Sequence, residues 1–385
     1  MKIFVLGAGR MGSAIVQDLL RTCGQSLEIG IGDVDFRRAE ELARAASGVS
    51  GQAFKVDVSD NNGLTAILEK YEGVVNATWY ENNLQVMQAC LKAGCNYNDL
   101  GGLFHMTRRQ LQLDDEAKSH GISAVAGGGE SPGITNVMCA LAAEGMEEVE
   151  SVKIYAGAKE TAENQELIFP FSISTVIDEY TKPPVEYLNG KFTEVAPLSG
   201  DESVSFAAPV GPNICHYSLH SEPATLPESI GRGVKNVEFR LGISEKIVRT
   251  LTPLLETGML SDEPRISVDG HQISPRDFVI SFFNSKSQGG KELERWVALK
   301  VMVTGVLTGE KSQVSWDLLA APGSYGFKNA TAYLTGVAGS IFGQYLAKDK
   351  IPNGVIPPEL AIRPSEFISE LEKRGIKMTK TVKII

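Results

Sequence analysis

Gly7, Gly9 and Gly12 stand in a G-x-G-x-x-G spacing, and Asp33 follows twenty-one residues after the last of them. Such a set can hold a phosphorylated nucleotide mainly through backbone. A glycine at 7 permits a tight turn, one at 9 leaves room for a pyrophosphate, and one at 12 lets a helix pack close to the preceding strand. The helix amino end, at Arg10 and Met11, then offers free N–H groups and a partial positive charge to the phosphates. Asp33 closes a mostly apolar run at 27–32, where its carboxylate can accept both ribose hydroxyls. That charge would repel a 2′-phosphate, so NAD is expected in preference to NADP. Arg37 and Arg38 could reach such a phosphate but read as exposed residues of a helix capped by Asp35. The competing reading is a structural strand-to-helix turn; strand, glycines, helix and acid falling together favour the dinucleotide.

Candidates for the reaction itself lie beyond later strands, because an open parallel sheet binds ligands at the carboxyl ends of its strands. Asp57, Asn76, Ala77 and Thr78 fall where residues flank a cofactor, and Tyr80 would hang over the nicotinamide or pack as a rim aromatic. Asp99, Gly101, Gly102 and His105 follow the fifth strand candidate. Their carboxylate and imidazole suit substrate binding or proton transfer. Asp99 could instead bond loop N–H groups, and His105 could be structural. Glu130 sits within the glycine-rich stretch 127–133, as a cleft acid or a solvated one. His216, His220, Glu222 and Thr225 form a further titratable group, with His216, Glu222 and Thr225 expected to touch substrate. Two histidines four apart can share a strand face and a metal. The segment lacks an H-E-x-x-H helix, and hydride transfer needs no Lewis acid, so no metal is expected.

The elements that must position these residues are legible first as strands at 2–6, 27–32, 53–56, 73–76, 97–100 and 122–126, with helical patterns between. Thr107 to Gln110 reads as a capping box opening one helix. This alternation predicts a Rossmann-type, doubly wound parallel sheet, an α/β fold. The pattern changes at 127–133, where Pro132 suits the first turn of a helix to about 144. Strand-like runs at 152–156, 237–241 and 299–306 then alternate with proline-rich connections, which predicts a mixed α+β region. Helix returns near Tyr325, with Ala332, Gly336, Gly339 and Gly343 on one face, so another helix can approach closely. A last helix spans 366–374, stopped by Gly375.

At 385 residues the chain is long for one core, so two domains are expected. A net charge of −10 without a basic cluster argues against nucleic acid. A strand beginning at residue two leaves no space for a signal peptide, and the apolar stretch 331–347 is broken by glycines, so no membrane association is expected. Five cysteines, odd in number and without C-x-x-C, suit a reducing compartment, the cytoplasm.

The runs GAGRMG, VVNATWY, NDLGG, GESPG, FSISTVIDEYTKPPVEYLNGK, HSEPATLP, TAYLTG and GVIPPE, in that order, resemble the saccharopine dehydrogenase family, and within it the lysine 6-dehydrogenase type. The resemblance implies a Rossmann domain (1–126 with 327–385) completed by carboxyl-terminal helices. An inserted α+β domain (127–326) would supply substrate contacts and a homodimer interface. It also implies NAD(P)-dependent chemistry at a C–N bond of an amine or amino-acid substrate. There hydride leaves the carbon bearing the amine, a base keeps that amine neutral, and charged groups recognise the amino-acid ends. Tyr80 matches a tyrosine the family often carries after strand four, Asp99 with Gly101 and Gly102 its D-L-G-G stretch, and Pro132-Gly133 the opening of its second domain. Family members commonly carry an acid where this chain has Gly127 and an apolar residue where it has Glu130; if Glu130 takes over that carboxylate's duty, the pocket geometry differs from the family's. Lysine, saccharopine and carboxynorspermidine-like adducts stay open as substrates. A non-catalytic NAD sensor is the rival of a different class. An alcohol dehydrogenase would lack its S-x-x-x-Y-x-x-x-K quartet.

Overall fold

Lys2–Leu6 is apolar after its first residue, and burial on both faces makes it the inner strand β1 of a parallel sheet. The computed structural model describes residues 1–46, 48–160, 169–287 and 294–385. β2 (Glu28–Asp33), β3 (Ser50–Lys55), β4 (Gly73–Asn76), β5 (Asn96–Asp99) and β6 (Ser123–Val125) follow, all paired parallel. β1 lies between β2 and β4, so the winding direction reverses there and a crevice opens beyond the carboxyl ends of β1 and β4. The helix Arg10–Cys23 buries Ala14, Ile15, Val16 and Leu19, which recur at helical spacing. One expected boundary is corrected. The helix read as starting at Thr107 runs Leu103–Leu111, and the Thr107 hydroxyl bonds Ser221 Oγ at 3.1 Å instead of capping.

The second sheet is built around two long strands. β7 (Met146–Glu160) is followed by β8 (Val185–Leu188), β9 (Lys191–Glu194), β10 (Glu202–Ser205), β11 (Pro212–Tyr217) and β12 (Asn236–Gly242). A small hairpin, β13 (Ile266–Val268) and β14 (His271–Ile273), precedes β15 (Arg295–Leu307) and β16 (Glu310–Ala320). β7 pairs parallel with β12 and antiparallel with β15. Both β7 and β15 outrun their apolar centres because their half-polar flanks pair with each other along the whole length.

β17 (Gly354–Ile356) returns to the first sheet beside β6, whereas β18 (Met378–Ile384) pairs with β16 in the second. The expected boundary, with all of 327–385 in the nucleotide-binding unit, is therefore corrected: its last strand belongs to the other sheet. The helix Ala330–Leu346 lies against Arg10–Cys23, and a Cβ on Gly336 would run into Ala14 while one on Gly343 would stand 2.7 Å from Val75. The small residues thus let this helix settle onto the first sheet. Its remaining faces join the helix Ile134–Ala143 and strands β7, β12, β15 and β16 in one core, so the two sheets share buried apolar contacts. A buried ion pair fastens the same layer: Arg374 Nε lies 2.9 Å from Asp18 Oδ1, with both side chains almost fully excluded from water. The five cysteines are free, and among the described residues no helix is long and apolar enough to cross a membrane.

Candidate active site

A cavity of about 570 Å³ opens between the carboxyl ends of the first sheet and the near face of the second. Its first wall is backbone. Gly9 precedes the helix Arg10–Cys23 without a side-chain cap, so the N–H groups of the first turn face the cavity unsatisfied by the usual Ser or Asp. A Cβ on Gly12 would strike the Gly7 carbonyl oxygen, whereas one on Gly9 would meet nothing within 4 Å. The loop is therefore tight where helix and strand meet and open where a pyrophosphate would lie. Asp33 ends β2, and each oxygen already takes one backbone donor: Oδ2 from Ala8 N–H at 2.7 Å, Oδ1 from Asp35 N–H at 2.8 Å. A carboxylate oxygen has a second lone pair, so both can still take ribose hydroxyls. These features fit a dinucleotide. Ala77 and Thr78 line the cavity beside Met11, and Asn76, buried behind them, holds the turn by accepting from Thr78 N–H and Oγ1. Arg10 reaches across to the carbonyl of Pro170 at 2.8 Å, joining the loop to the second unit.

The opposite wall is made of buried ionisable side chains. The helix Ile173–Thr181, capped by Ser172, buries Ile173, Val176, Ile177 and Tyr180 against neighbouring helices, and the same burial takes in Asp178 and Glu179. Asp178 accepts the Tyr80 hydroxyl at 2.6 Å and pairs with Arg276 at 2.6 Å and Lys182 at 3.3 Å. Burial, and then Asp178, push the Tyr80 phenol well above its ordinary range, so Tyr80 stays a neutral donor locked to a carboxylate. Glu179 lines the cavity, its carboxyl pushed up to about 7 chiefly by burial and further by Asp178 and Glu222, with His220 pulling the other way.

His220 lies just beyond β11, its ring stacked on Phe239 at 3.7 Å between centroids. Its Nδ1 is 2.6 Å from Glu222 Oε2, and its Nε2 is 3.8 Å from Glu179 Oε1. Glu222 Oε1 accepts from Ser131 and Thr135, each at 2.7 Å. Burial opposes charge on both partners, but the pairing wins: His220 is held above its ordinary pKa and Glu222 below its own. Glu130 faces the same space with no hydrogen-bond partner for its carboxyl among the described residues, and burial pushes it up to about 8 against the pull of Arg295 and His220. Burial thus favours the protonated form of Glu130 at neutral pH, beside an imidazole that Glu222 holds toward its charged form.

The structure brings Gly9, Arg10, Met11, Ala77, Thr78, Tyr80, Gly101 and Glu130 to the cavity. Other expected residues lie outside it. Asp99 is fully buried, its carboxylate taking N–H bonds from Gly101 and Gly127, the Tyr97 hydroxyl and the Gln110 amide. It has no face toward substrate; it pins the two loops that carry Gly101 and Glu130. Gly102 sits at the amino end of the helix Leu103–Leu111, and His105 is exposed on that helix. Asp57 is exposed and bonds Ser59. His216 pairs with Asp201 at 2.9 Å, because the chain leaves β11 after Tyr217 and carries His220 elsewhere. Glu222 acts behind His220, and Thr225 bonds Asn136 in a buried cluster with Glu359. Glu179, His220 and Arg295 are cleft residues that the sequence reading did not assign to the site. Charged residues inside the apolar pattern 173–180 were the available signal for Glu179.

Comparison with known proteins agrees with this layout. Residues 3–125 match the profile of the saccharopine dehydrogenase NADP binding domain, and residues 129–376 that of the saccharopine dehydrogenase C-terminal domain. The chain is 21% identical to a carboxyaminopropylagmatine dehydrogenase of Synechocystis sp. over 398 residues, covering 99% of this chain and 98% of that protein. It is 23% identical to a carboxynorspermidine synthase of Vibrio cholerae over 302 residues, 71% of this chain and 70% of the other. The fold is shared with a saccharopine dehydrogenase (L-Glu forming) of Saccharomyces cerevisiae, with a TM-score of 0.76, 15% identity and 99% of each chain covered. It is shared also with a homospermidine synthase of Legionella pneumophila solved with NAD, with a TM-score of 0.68, 12% identity and 99% and 91% covered.

Proposed function

The chain belongs to the saccharopine dehydrogenase family and is an NAD(P)-binding oxidoreductase of that family, and from that premise we propose that it acts on the C–N bond of an amino acid joined to an amine. The observation that carries this reading is the shared cavity: the phosphate-cradling loop at Gly9 and the buried Glu130, Glu179 and His220 line one space. The two relatives named above are named for carboxylated amine adducts, which supports an adduct over free lysine; the lysine 6-dehydrogenase reading is the runner-up.

When bound, the dinucleotide exchanges hydride with the carbon bearing nitrogen. The protein's part is to orient the adduct and to manage one proton. His220, its pKa raised by the Glu222 that holds it through Nδ1, suits donation from Nε2 to a nitrogen whose C=N bond is being reduced. In the reverse sense the same Nε2 takes the proton that the amine must lose before hydride can leave. Tyr80, fixed by Asp178 and Lys182, gives the cavity a rigid aromatic wall. NAD is preferred because Asp33 retains acceptor capacity for ribose, while Arg38 at the cavity edge is the residue that would admit NADP. Exposed Val382 and Ile384 on the end strand β18 support the use of that edge as a homodimer interface, and the five free cysteines support a cytoplasmic setting.

A non-catalytic sensor is disfavoured, since three carboxylates and an imidazole buried together are costly and have no use in nucleotide binding. The test is oxidation of carboxynorspermidine, saccharopine and L-lysine with NAD and with NADP. Turnover of an adduct is expected. A protein that binds either dinucleotide yet reduces it with none of the three would sink the reading.

A further inference from the structure

The cleft holds an imbalance that the proton transfer does not use. Arg295 begins β15 at the cavity wall and is 7% exposed. Its Nη1 is paired with Glu160 at 2.6 Å, yet its Nε is buried without a hydrogen-bond partner among the described residues. A buried guanidinium N–H left unpaired costs stability, so such a group persists where a ligand supplies the acceptor. Glu130 does not supply it: its carboxyl makes no hydrogen bond among the described residues, and burial pushes its pKa up to about 8. Glu179 is similarly incomplete, with Oε2 buried and unpartnered among the described residues.

We propose that Arg295 is the residue by which this protein selects substrates bearing a carboxylate, with Glu130 and Glu179 receiving an ammonium beside it. The proposal rests on the C–N oxidoreductase reading and adds its specificity determinant. A planar guanidinium whose one edge is fixed by Glu160 presents its free N–H in a set direction, which suits the planar oxygens of a carboxylate better than a point anion. The ammonium arriving with that carboxylate ionises Glu130 and Glu179 by its charge. A zwitterionic amino-acid head therefore satisfies the orphaned donor and the orphaned acceptor together. A plain diamine satisfies only the acceptors.

The test compares L-lysine and saccharopine with cadaverine, the decarboxylated counterpart of lysine, in wild type and Arg295→Gln. Binding to the NAD-loaded protein is read by calorimetry, and turnover by nicotinamide absorbance. Loss of one charge-assisted contact is expected to weaken binding and raise KM about 10- to 100-fold for the carboxylated compounds, leaving cadaverine within about 3-fold. Arg295→Lys keeps the charge but not the fork and should fall between. Because Arg295→Gln strands Glu160, the double variant Arg295→Gln/Glu160→Gln guards against misfolding, and it should show the same loss of discrimination. Equal weakening of all three compounds, or unchanged discrimination, overturns the assignment. If wild type binds carboxylated compounds through Arg295 but reduces no nicotinamide, the enzymatic reading fails while this one stands; if it binds none of them, the assignment falls.

Discussion

The two walls of the cleft meet a ligand by different means. The wall at Gly7–Gly12 offers backbone N–H groups and empty space, with every critical position within six residues of its neighbours. The wall at Glu130, Glu179, His220 and Glu222 offers side chains drawn from three separate stretches of chain, each altered by burial and by the others. Backbone recognition costs little to keep empty, because water can serve the loop's donors. The carboxylate wall is kept at a cost, since charge there is desolvated whether or not substrate is present. One wall is a stable receptor; the other is a chemical environment that makes sense only with a partner.

The largest expected effect separates the walls outright. His220→Gln should lower turnover by about 100- to 10,000-fold, the range of general acid–base catalysis, with dinucleotide affinity unchanged by fluorescence titration. A comparable fall in dinucleotide affinity would mean the walls are one site. Gly12→Val tests the other side. Its side chain meets the Gly7 carbonyl, which no rotamer relieves, so dinucleotide binding should weaken at least about 100-fold while the fold survives by circular dichroism. A variant that binds normally would refute the close-packing role of that glycine.

These two positions also show what was readable beforehand. The glycine loop, β1 and β4 were legible because their determinants are local: turn, strand and helix follow one another within a few residues. Glu130 was legible only as a titratable residue near a crevice. Glu179 was hidden because a glutamate next to Asp178 on a helix ordinarily faces water, and here the helix is covered by the segments around Leu251 and Val279. Asp99 was misleading for a related reason. A carboxylate at a strand's carboxyl end looks functional, but four donors converge on it from β5, the helix Leu103–Leu111 and two loops. Burial of charge is a property of tertiary contact, and periodicity carries no record of it. β17, three residues long, and the crossing of β18 to the other sheet escaped notice likewise, since strand periodicity does not name the partner.

A smaller effect sharpens the cofactor side. Asp33→Ala removes a charged acceptor worth about 1.5–3 kcal/mol, or about 10- to 100-fold in NAD affinity, and should leave NADP affinity equal or improved. Unchanged NAD binding would remove Asp33 from the ribose site. The smallest effect concerns stability. Glu130 titrates at about 8 in the fold against 4.5 when free, and Glu179 at about 7. The folded protein therefore holds protons that the unfolded chain has released, so their contribution is greatest below about 4.5 and is lost as pH rises toward 8. The melting temperature should fall between pH 6 and 8.5, and Glu130→Gln should raise it at the upper pH by about 2–4 °C. A variant with the same slope as wild type would show that the side-chain wall carries no such strain.

The strands Gly354–Ile356 and Met378–Ile384, and Arg374 with its buried partner Asp18, have a bearing on biosynthesis. A nascent chain that has reached residue 350 carries an unpaired edge on each sheet and a buried-to-be carboxylate without its cation. Open edges recruit other strands. Neither sheet has its full set of strands until these last residues are made, so both units mature together in a late step, and shielding by a chaperone matters most in that interval.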